Sequence, residues 1–247
     1  MIAIIGGSGL TQLDNLEITR RQIVRTPYGE PSGALTFGRI GQCEVVFLAR
    51  HGYGHTLAPH EINYRANVWA LHKQGASRVI SVCTVGGIAP HLGAGTLVVP
   101  DQIIDYTWGR PSTFFEGAEQ PVTHVDFTEP YDGETRHLVL EAAKASAVAV
   151  FDGGTYGATQ GPRLETKAEI DRMDRDGATM VGMTGMPEAA LAREMKLAYA
   201  SIAVVVNPAA GRGSSAHAVS MQDIQKVMDA SMENVRRIVA AVVERHP

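Results

Sequence analysis

Five short stretches of this chain carry residue types suited to holding an anion beside a polar heterocycle. The run Gly6-Gly7-Ser8-Gly9 follows the apolar segment Ile2–Ile5. Glycines let a backbone approach an anion closely, and a hydroxyl with exposed amides donates to phosphate. The same run also serves as a plain tight turn. It is neither G-x-G-x-x-G nor the Lys-containing phosphate loop, so it implies neither a dinucleotide nor ATP. Arg50-His51 directly follows the apolar segment Glu44–Leu48. Arg presents a planar fork to phosphate and His adds a donor. Such a pair is more often surface decoration, and its place at a strand end is what singles it out. Thr184, in Gly182-Met183-Thr184, adds a hydroxyl at another expected strand end. Glu165, in Gly161-Pro162-Arg163-Leu164-Glu165-Thr166, is either a helix-start carboxylate facing the macrodipole or a site acid. Asn207, before Pro208, is either a turn former or a planar amide whose donor and acceptor suit a base edge.

The elements that must position these residues can be read from periodicity. Strands are expected at Ile2–Ile5, Glu44–Leu48, Arg78–Val82, Thr96–Val99, Thr155–Thr159 and the β-branched run Ser201–Val206. Helices are expected over His60–Gln74, Glu134–Ala145, Glu165–Arg175, Pro187–Lys196 and Met221–Glu244. The last carries an apolar stripe at helical spacing, with Ser220 and Asp223 as a capping box. Residues 105–135, rich in aromatics, Pro and Gly, read as a long functional loop. Strands alternating with helices predict an α/β fold, a sheet flanked by helices with polar residues at its strand ends.

Composition narrows the class. The chain has 247 residues, enough for one large α/β domain over 1–247, and no Pro/Gly/Ser-rich linker, repeat or low-complexity segment divides it. A formal net charge of −4 gives no basic footprint for nucleic acid. Two cysteines, Cys43 and Cys83, make no disulfide framework or zinc pattern and read as small apolar residues in a reducing compartment. The nine histidines show no metal-ligand spacing. No apolar run approaches the ~18 residues of a membrane span, and Met1–Gly7 lacks the basic start of a signal peptide. A cytoplasmic protein with no membrane partner is expected.

Taken together, the motifs identify a family. Ile4-Ile5-Gly6-Gly7-Ser8-Gly9-Leu10, Leu48-Ala49-Arg50-His51-Gly52, His55, Asn63–Leu71, Gly161-Pro162-Arg163, Val181-Gly182-Met183-Thr184 with Pro187-Glu188, and Ala218-Val219-Ser220 occur in one order along essentially the whole chain. In that order they resemble the trimeric nucleoside phosphorylases, the family of methylthioadenosine and purine nucleoside phosphorylases. The resemblance implies a nucleoside phosphorylase-type fold with a mixed, twisted sheet, a homotrimer, a nucleoside and inorganic phosphate as co-substrates, and no metal or organic cofactor. It implies that Ser8, Arg50, His51 and Thr184 bind phosphate, helped by the Cys83-Thr84 amides. Relatives carry Thr or Asn followed by Ala at these two positions, a departure that is harmless if the contact is through backbone. Met183 would lie under the ribose and Asn207, with Pro208 and Ala209, beside the base. Glu165 would face the Watson–Crick edge, and His124 would reach a neighbouring subunit's site.

The choice of base then follows from hydrogen bonding. Relatives that cleave 6-aminopurines place Asp where this chain has Asn207. An amide can donate to a 6-oxygen while its carbonyl accepts from a protonated N7, and a carboxylate at 165 accepts from the N1–H of hypoxanthine. Adenine offers only a bare N1 lone pair there. At the sugar end, relatives acting on ordinary nucleosides place a His near the 5′-hydroxyl, where this chain aligns Met221. A thioether favours a 5′-methylthio group, unless Met221 merely starts the last helix and packs inward. The expected substrate is 5′-methylthioinosine. Methylthioadenosine, inosine or guanosine cleavage, and a nucleoside-binding module without catalysis, are the alternatives.

Overall fold

The computed structural model describes residues 1–10, 13, 15–117 and 121–245. The chain runs β1 (Ile2–Gly6), β2 (Glu17–Gln22), β3 (Leu35–Ile40), β4 (Cys43–Ala49), α1 (Tyr64–Lys73), β5 (Arg78–Gly87), β6 (Leu97–Val99), β7 (Gln102–Asp105) and α2 (Gly133–Ala145). It continues β8 (Phe151–Asp152), β9 (Thr155–Ala158), α3 (Lys167–Asp176), β10 (Met180–Gly182), α4 (Gly185–Glu194), β11 (Ala198–Pro208) and α5 (Met221–Glu244). All eleven strands join one mixed sheet, whose main path is β2-β3-β4-β1-β5-β10-β9-β7. The sheet branches at β5, which also pairs in parallel with β11, and β11 leads on to β6 and β8.

Alternation along β1 sorts the core into two layers. Ala3 and Ile5 join a cluster with Val68 and Leu71 of α1 and with Ala189 and Leu191 of α4. Ile2 and Ile4 join another with Val139 and Ala142 of α2 and with Val235, Ile238 and Val242 of α5. Successive strand residues face opposite sides of a sheet, so these are its two faces, each covered by helices. Burial on both faces explains why β1, β4 and β11 are continuous apolar runs.

Register brings the motifs together. β1 pairs in parallel with β4 through Gly6 opposite Ala49, and with β5 through Ile5 opposite Ser81. Gly7-Ser8 and Arg50-His51 therefore leave β1 and β4 beside Val82-Cys83-Thr84, which continue within β5. β11 adds Asn207 opposite Gly86. β10 and β9 pair with Gly182 opposite Ala158, so Met183-Thr184 and Thr159 emerge side by side. Ligand crevices of parallel sheets form at such carboxyl ends.

Several boundaries differ from the sequence-based expectation. α1 begins at Tyr64 rather than at residue 60, because the Asn63 side chain caps the helix by accepting from the Ala66 amide. α3 begins at Lys167, after a reciprocal capping box between Thr166 and Glu169. Glu165 thus stands outside the helix, and the capping role belongs to its neighbours. β11 extends through Asn207 and Pro208, so Asn207 is a paired strand residue beyond an irregularity at Val205, and not a turn former. β2, β3, β7 and β8 complete the sheet beyond the expected strands. At α5, Ser220 accepts from the Asp223 amide as expected.

Ile4 is fully buried between the sheet and α5, whereas Ile18 on the edge strand β2 is half exposed. Ile4→Ala is expected to cost about 2–5 kcal/mol of unfolding free energy, and Ile18→Ala less than about 0.5 kcal/mol, as measured by urea titration followed by circular dichroism.

Candidate active site

A cleft of about 220 Å³ opens where these strand ends converge. Its walls include Ser8, Arg50, His51, Cys83, Thr84 and Thr184, together with Glu165, Met183, Asn207, Ala209 and Met221. Of the residues singled out from sequence, only Pro208 and His124 lie outside its walls. His124 is exposed in the segment between β7 and α2.

Arg50 is 1% exposed and is tied into the sheet. Its Nε and Nη2 donate to Glu188 Oε2 and Oε1 at 2.7 and 2.9 Å, Nη2 also donates to Ser81 Oγ at 2.6 Å, and Nη1 donates to the Val82 carbonyl at 2.9 Å. Glu188 is equally buried and accepts further hydrogen bonds from the Ser81 and Tyr199 hydroxyls. Guanidinium has five N–H donors, so this set leaves one N–H, on Nη1. The fork expected to grip an anion is thus closed on Glu188, and Arg50 offers the cleft a fixed charge with a single donor. Burial opposes the charge, but the Glu188 carboxylate overrides it and the Arg50 pKa moves upward. Gly7 is required by this packing. A Cβ there would stand 2.5 Å from the Val82 carbonyl oxygen and 2.8 Å from Arg50 Nη1.

His51 is held by a 2.8 Å hydrogen bond between Nδ1 and the Leu57 carbonyl. A carbonyl only accepts, so Nδ1 carries the hydrogen and Nε2 is the remaining ring nitrogen. Burial, reinforced by the Arg50 charge, lowers the His51 pKa to about 4, so the ring is neutral at physiological pH and its Nε2 is a bare acceptor, not the donor expected from the sequence. Thr184 precedes α4 without making a side-chain cap bond to it. The Cys83 thiol lies 3.5 Å from Ser201 Oγ, and burial raises its pKa. The thiol is thus engaged with β11, and since successive amides of a strand point to opposite sides, one of the two amides of Cys83 and Thr84 faces away from β11.

At the other end, Glu165 Oε1 accepts from the Thr159 hydroxyl at 2.6 Å. Asn207 Nδ2 donates to the Pro208 carbonyl at 2.6 Å. Only the NH₂ side of an amide can face a carbonyl, so the amide orientation is fixed, with Oδ1 and one N–H uncommitted. Met221 starts α5 but does not pack inward: it is 59% exposed and lines the cleft mouth with Val219 and Ile224.

Two residues of this site carry no signal in the sequence alone. Glu188 appears there only as part of a motif, and its burial becomes evident once α4 is packed on the sheet. Arg110 lies within the long loop, yet it is buried and donates to the carbonyls of Met183, Met186, Thr159 and Gln160, to Gln160 Oε1 and to Tyr64 Oη. It thereby staples the segment carrying Glu165 to the segment carrying Met183 and Thr184. Among the described residues, no group of three or more His, Cys, Asp or Glu is placed to hold a metal ion, and no helix is long and apolar enough to cross a membrane.

This arrangement agrees with the relatives of the chain. A probable S-methyl-5′-thioinosine phosphorylase of Xanthomonas campestris pv. campestris is 52% identical over 238 residues, covering 96% of this chain and 95% of that protein. The 6-oxopurine nucleoside phosphorylase of Pyrococcus furiosus is 44% identical, covering 100% and 93%. Among solved structures, methylthioadenosine phosphorylase from Schistosoma mansoni in complex with adenine superposes with a TM-score of 0.95 at 32% identity, covering 99% of this chain and 91% of that one. The Phosphorylase superfamily profile matches residues 1–244. With the family profile, the relatives and the solved structure in agreement, the chain belongs to the phosphorylase superfamily, in its nucleoside phosphorylase branch.

Proposed function

We propose that this enzyme phosphorolyses 5′-methylthioinosine to hypoxanthine and 5-methylthioribose 1-phosphate, a purine-salvage reaction. The observation that carries the reading is the pair Glu165 and Asn207 on the walls of one cleft, with Met221 at its mouth. The uncommitted N–H of Asn207 donates to the 6-oxygen and its Oδ1 accepts from a protonated N7. The Glu165 carboxylate accepts from N1–H. An apolar rim of Met221, Val219 and Ile224 leaves a 5′-hydroxyl without a partner and suits a methylthio group. The names of the Xanthomonas and Pyrococcus relatives support a 6-oxopurine substrate.

The reaction breaks the C1′–N9 bond and forms a C1′–O bond to phosphate. The bonding pair passes to the purine, which leaves protonated at N7, the proton being the one that hydrogen phosphate gives up, through solvent, as it becomes the ester. Hydrogen phosphate sits among Ser8, the single free N–H of Arg50, the Cys83-Thr84 amides and Thr184, with His51 Nε2 accepting from its O–H. There it stabilises the oxocarbenium-like sugar from the face opposite the base before attacking it. Asn207 meets the charge that gathers on the base. Inorganic phosphate is the co-substrate, and the chemistry uses no metal or organic cofactor. In this reading the enzyme is a cytoplasmic homotrimer in which His124, flanked by the exposed Val122 and Val125, reaches a neighbouring cleft.

Purified enzyme supplied with phosphate is expected to turn over 5′-methylthioinosine at least about 100-fold better, in kcat/KM, than methylthioadenosine or inosine, by the discrimination that unpaired buried polar groups impose. Comparable turnover of methylthioadenosine would overturn the base assignment, and preference for inosine would overturn the Met221 assignment. Asn207→Asp is expected to move the ratio toward 6-aminopurines. Glu188→Ala, which strands Arg50, is expected to cost about 3–5 kcal/mol of stability and to raise KM for phosphate more than KM for the nucleoside. Chemical denaturation and initial rates at varied phosphate check both halves.

A further inference from the structure

We infer that Thr159 sets the preference of this site between the two common 6-oxopurines, favouring hypoxanthine nucleosides over guanine nucleosides. The inference rests on the reading that Glu165 faces the base, and it concerns a residue with no role in that reading. Thr159 follows β9 directly and is buried. Its amide donates to the Gly182 carbonyl at 2.8 Å, which fixes the backbone beside the ribose wall. Its hydroxyl has one hydrogen and two nearby acceptors, Glu165 Oε1 at 2.6 Å and the Gly182 carbonyl at 3.3 Å. The shorter contact, to a carboxylate, takes the hydrogen.

The direction of that contact matters. Glu165 forms part of a wall between the substrate cleft and a second cleft, which also contains Tyr106, Trp108 and Arg172. Thr159 lines the second cleft and not the first. The hydroxyl therefore reaches the carboxylate from behind, drawing Oε1 away from the substrate side and leaving Oε2 to meet the purine. Hypoxanthine presents a single donor at this edge, N1–H, and one oxygen satisfies it. Guanine presents N1–H and a 2-amino N–H side by side, a pair that a carboxylate matches with both oxygens. Oε1 keeps a second lone pair, but with that oxygen turned toward Thr159 and the second cleft the lone pair lies off the line of the 2-amino N–H, so the 2-amino group of guanine enters the cleft poorly paired, a penalty of the kind left by a buried donor without a good acceptor.

The test compares kcat/KM for 5′-methylthioinosine and 5′-methylthioguanosine at saturating phosphate, in the wild type, Thr159→Val and Thr159→Ser. Wild type is expected to prefer methylthioinosine by about tenfold or more. Thr159→Val frees Oε1 and is expected to lower that ratio at least fivefold, by improving the guanine nucleoside and weakening the hypoxanthine one. Thr159→Ser keeps the hydroxyl and should retain the wild-type ratio. A merely structural Thr159 would change both substrates together and leave the ratio alone. A wild-type ratio within twofold of one, or a Thr159→Val ratio equal to wild type, would overturn the inference. The wild-type comparison decides even if Thr159→Val does not fold. If methylthioinosine is a good substrate and the ratio is near one, only the role of Thr159 falls. If neither nucleoside is cleaved, the proposed function falls and takes this inference with it.

Discussion

The site depends on one buried ion pair. Arg50 directly follows β4 with its guanidinium inside the protein, and Glu188, from the first turn of α4, closes on it with both oxygens. Stranding either partner would leave an uncompensated charge in the interior, so the pair locks α4 to the β1–β4–β5 edge of the sheet. Against a well-packed apolar alternative, such a pair adds little net stability. What it fixes is place and direction: a positive charge that cannot swing away, with a single N–H left over. Ser81, Tyr199 and the Val82 carbonyl complete the cage, and the missing side chain of Gly7 lets the neighbouring turn lie against it.

A second buried cation is held differently. Arg110 has neutral acceptors rather than a carboxylate: four backbone carbonyls, one amide oxygen and one phenol. The two arginines thus divide the labour. Arg50 is neutralised locally and organises the strand ends around Ser8 and His51. Arg110 has no carboxylate partner and organises the backbone around Thr159 and Met183, because carbonyl dipoles from separate segments all point to one guanidinium.

Much of this was legible beforehand. Long apolar runs announced β1, β4, β5 and β11, because strands buried on both faces cannot hide their composition. Every residue assigned to phosphate from motif order lines the cleft. What the sequence hides is whatever depends on distant parts of the chain. β2 is an exposed edge strand, Glu-Ile-Thr-Arg-Arg-Gln, with no alternation to betray it. The start of α3 was misplaced by two residues because Glu165 resembles a helix-start acid, while the true box, Thr166 with Glu169, stands one position on. Arg110 sits in an irregular segment, and its importance lies wholly in which carbonyls fold back upon it. The Arg50 fork was expected to be open, since nothing in the sequence reveals that a carboxylate 138 residues away fills it.

The Arg110 staple bears on how such a scaffold can change its habits. The strand ends, the loop before α3 and the turn into α4 are pinned to common points, so none can slide without dragging the others. On such a frame, change comes most readily by exchanging single functional groups at fixed stations rather than by moving the backbone that carries them. A rigid chassis of this sort turns evolutionary diversification into a short alphabet of side-chain swaps, and it makes the catalogue of related enzymes readable one letter at a time.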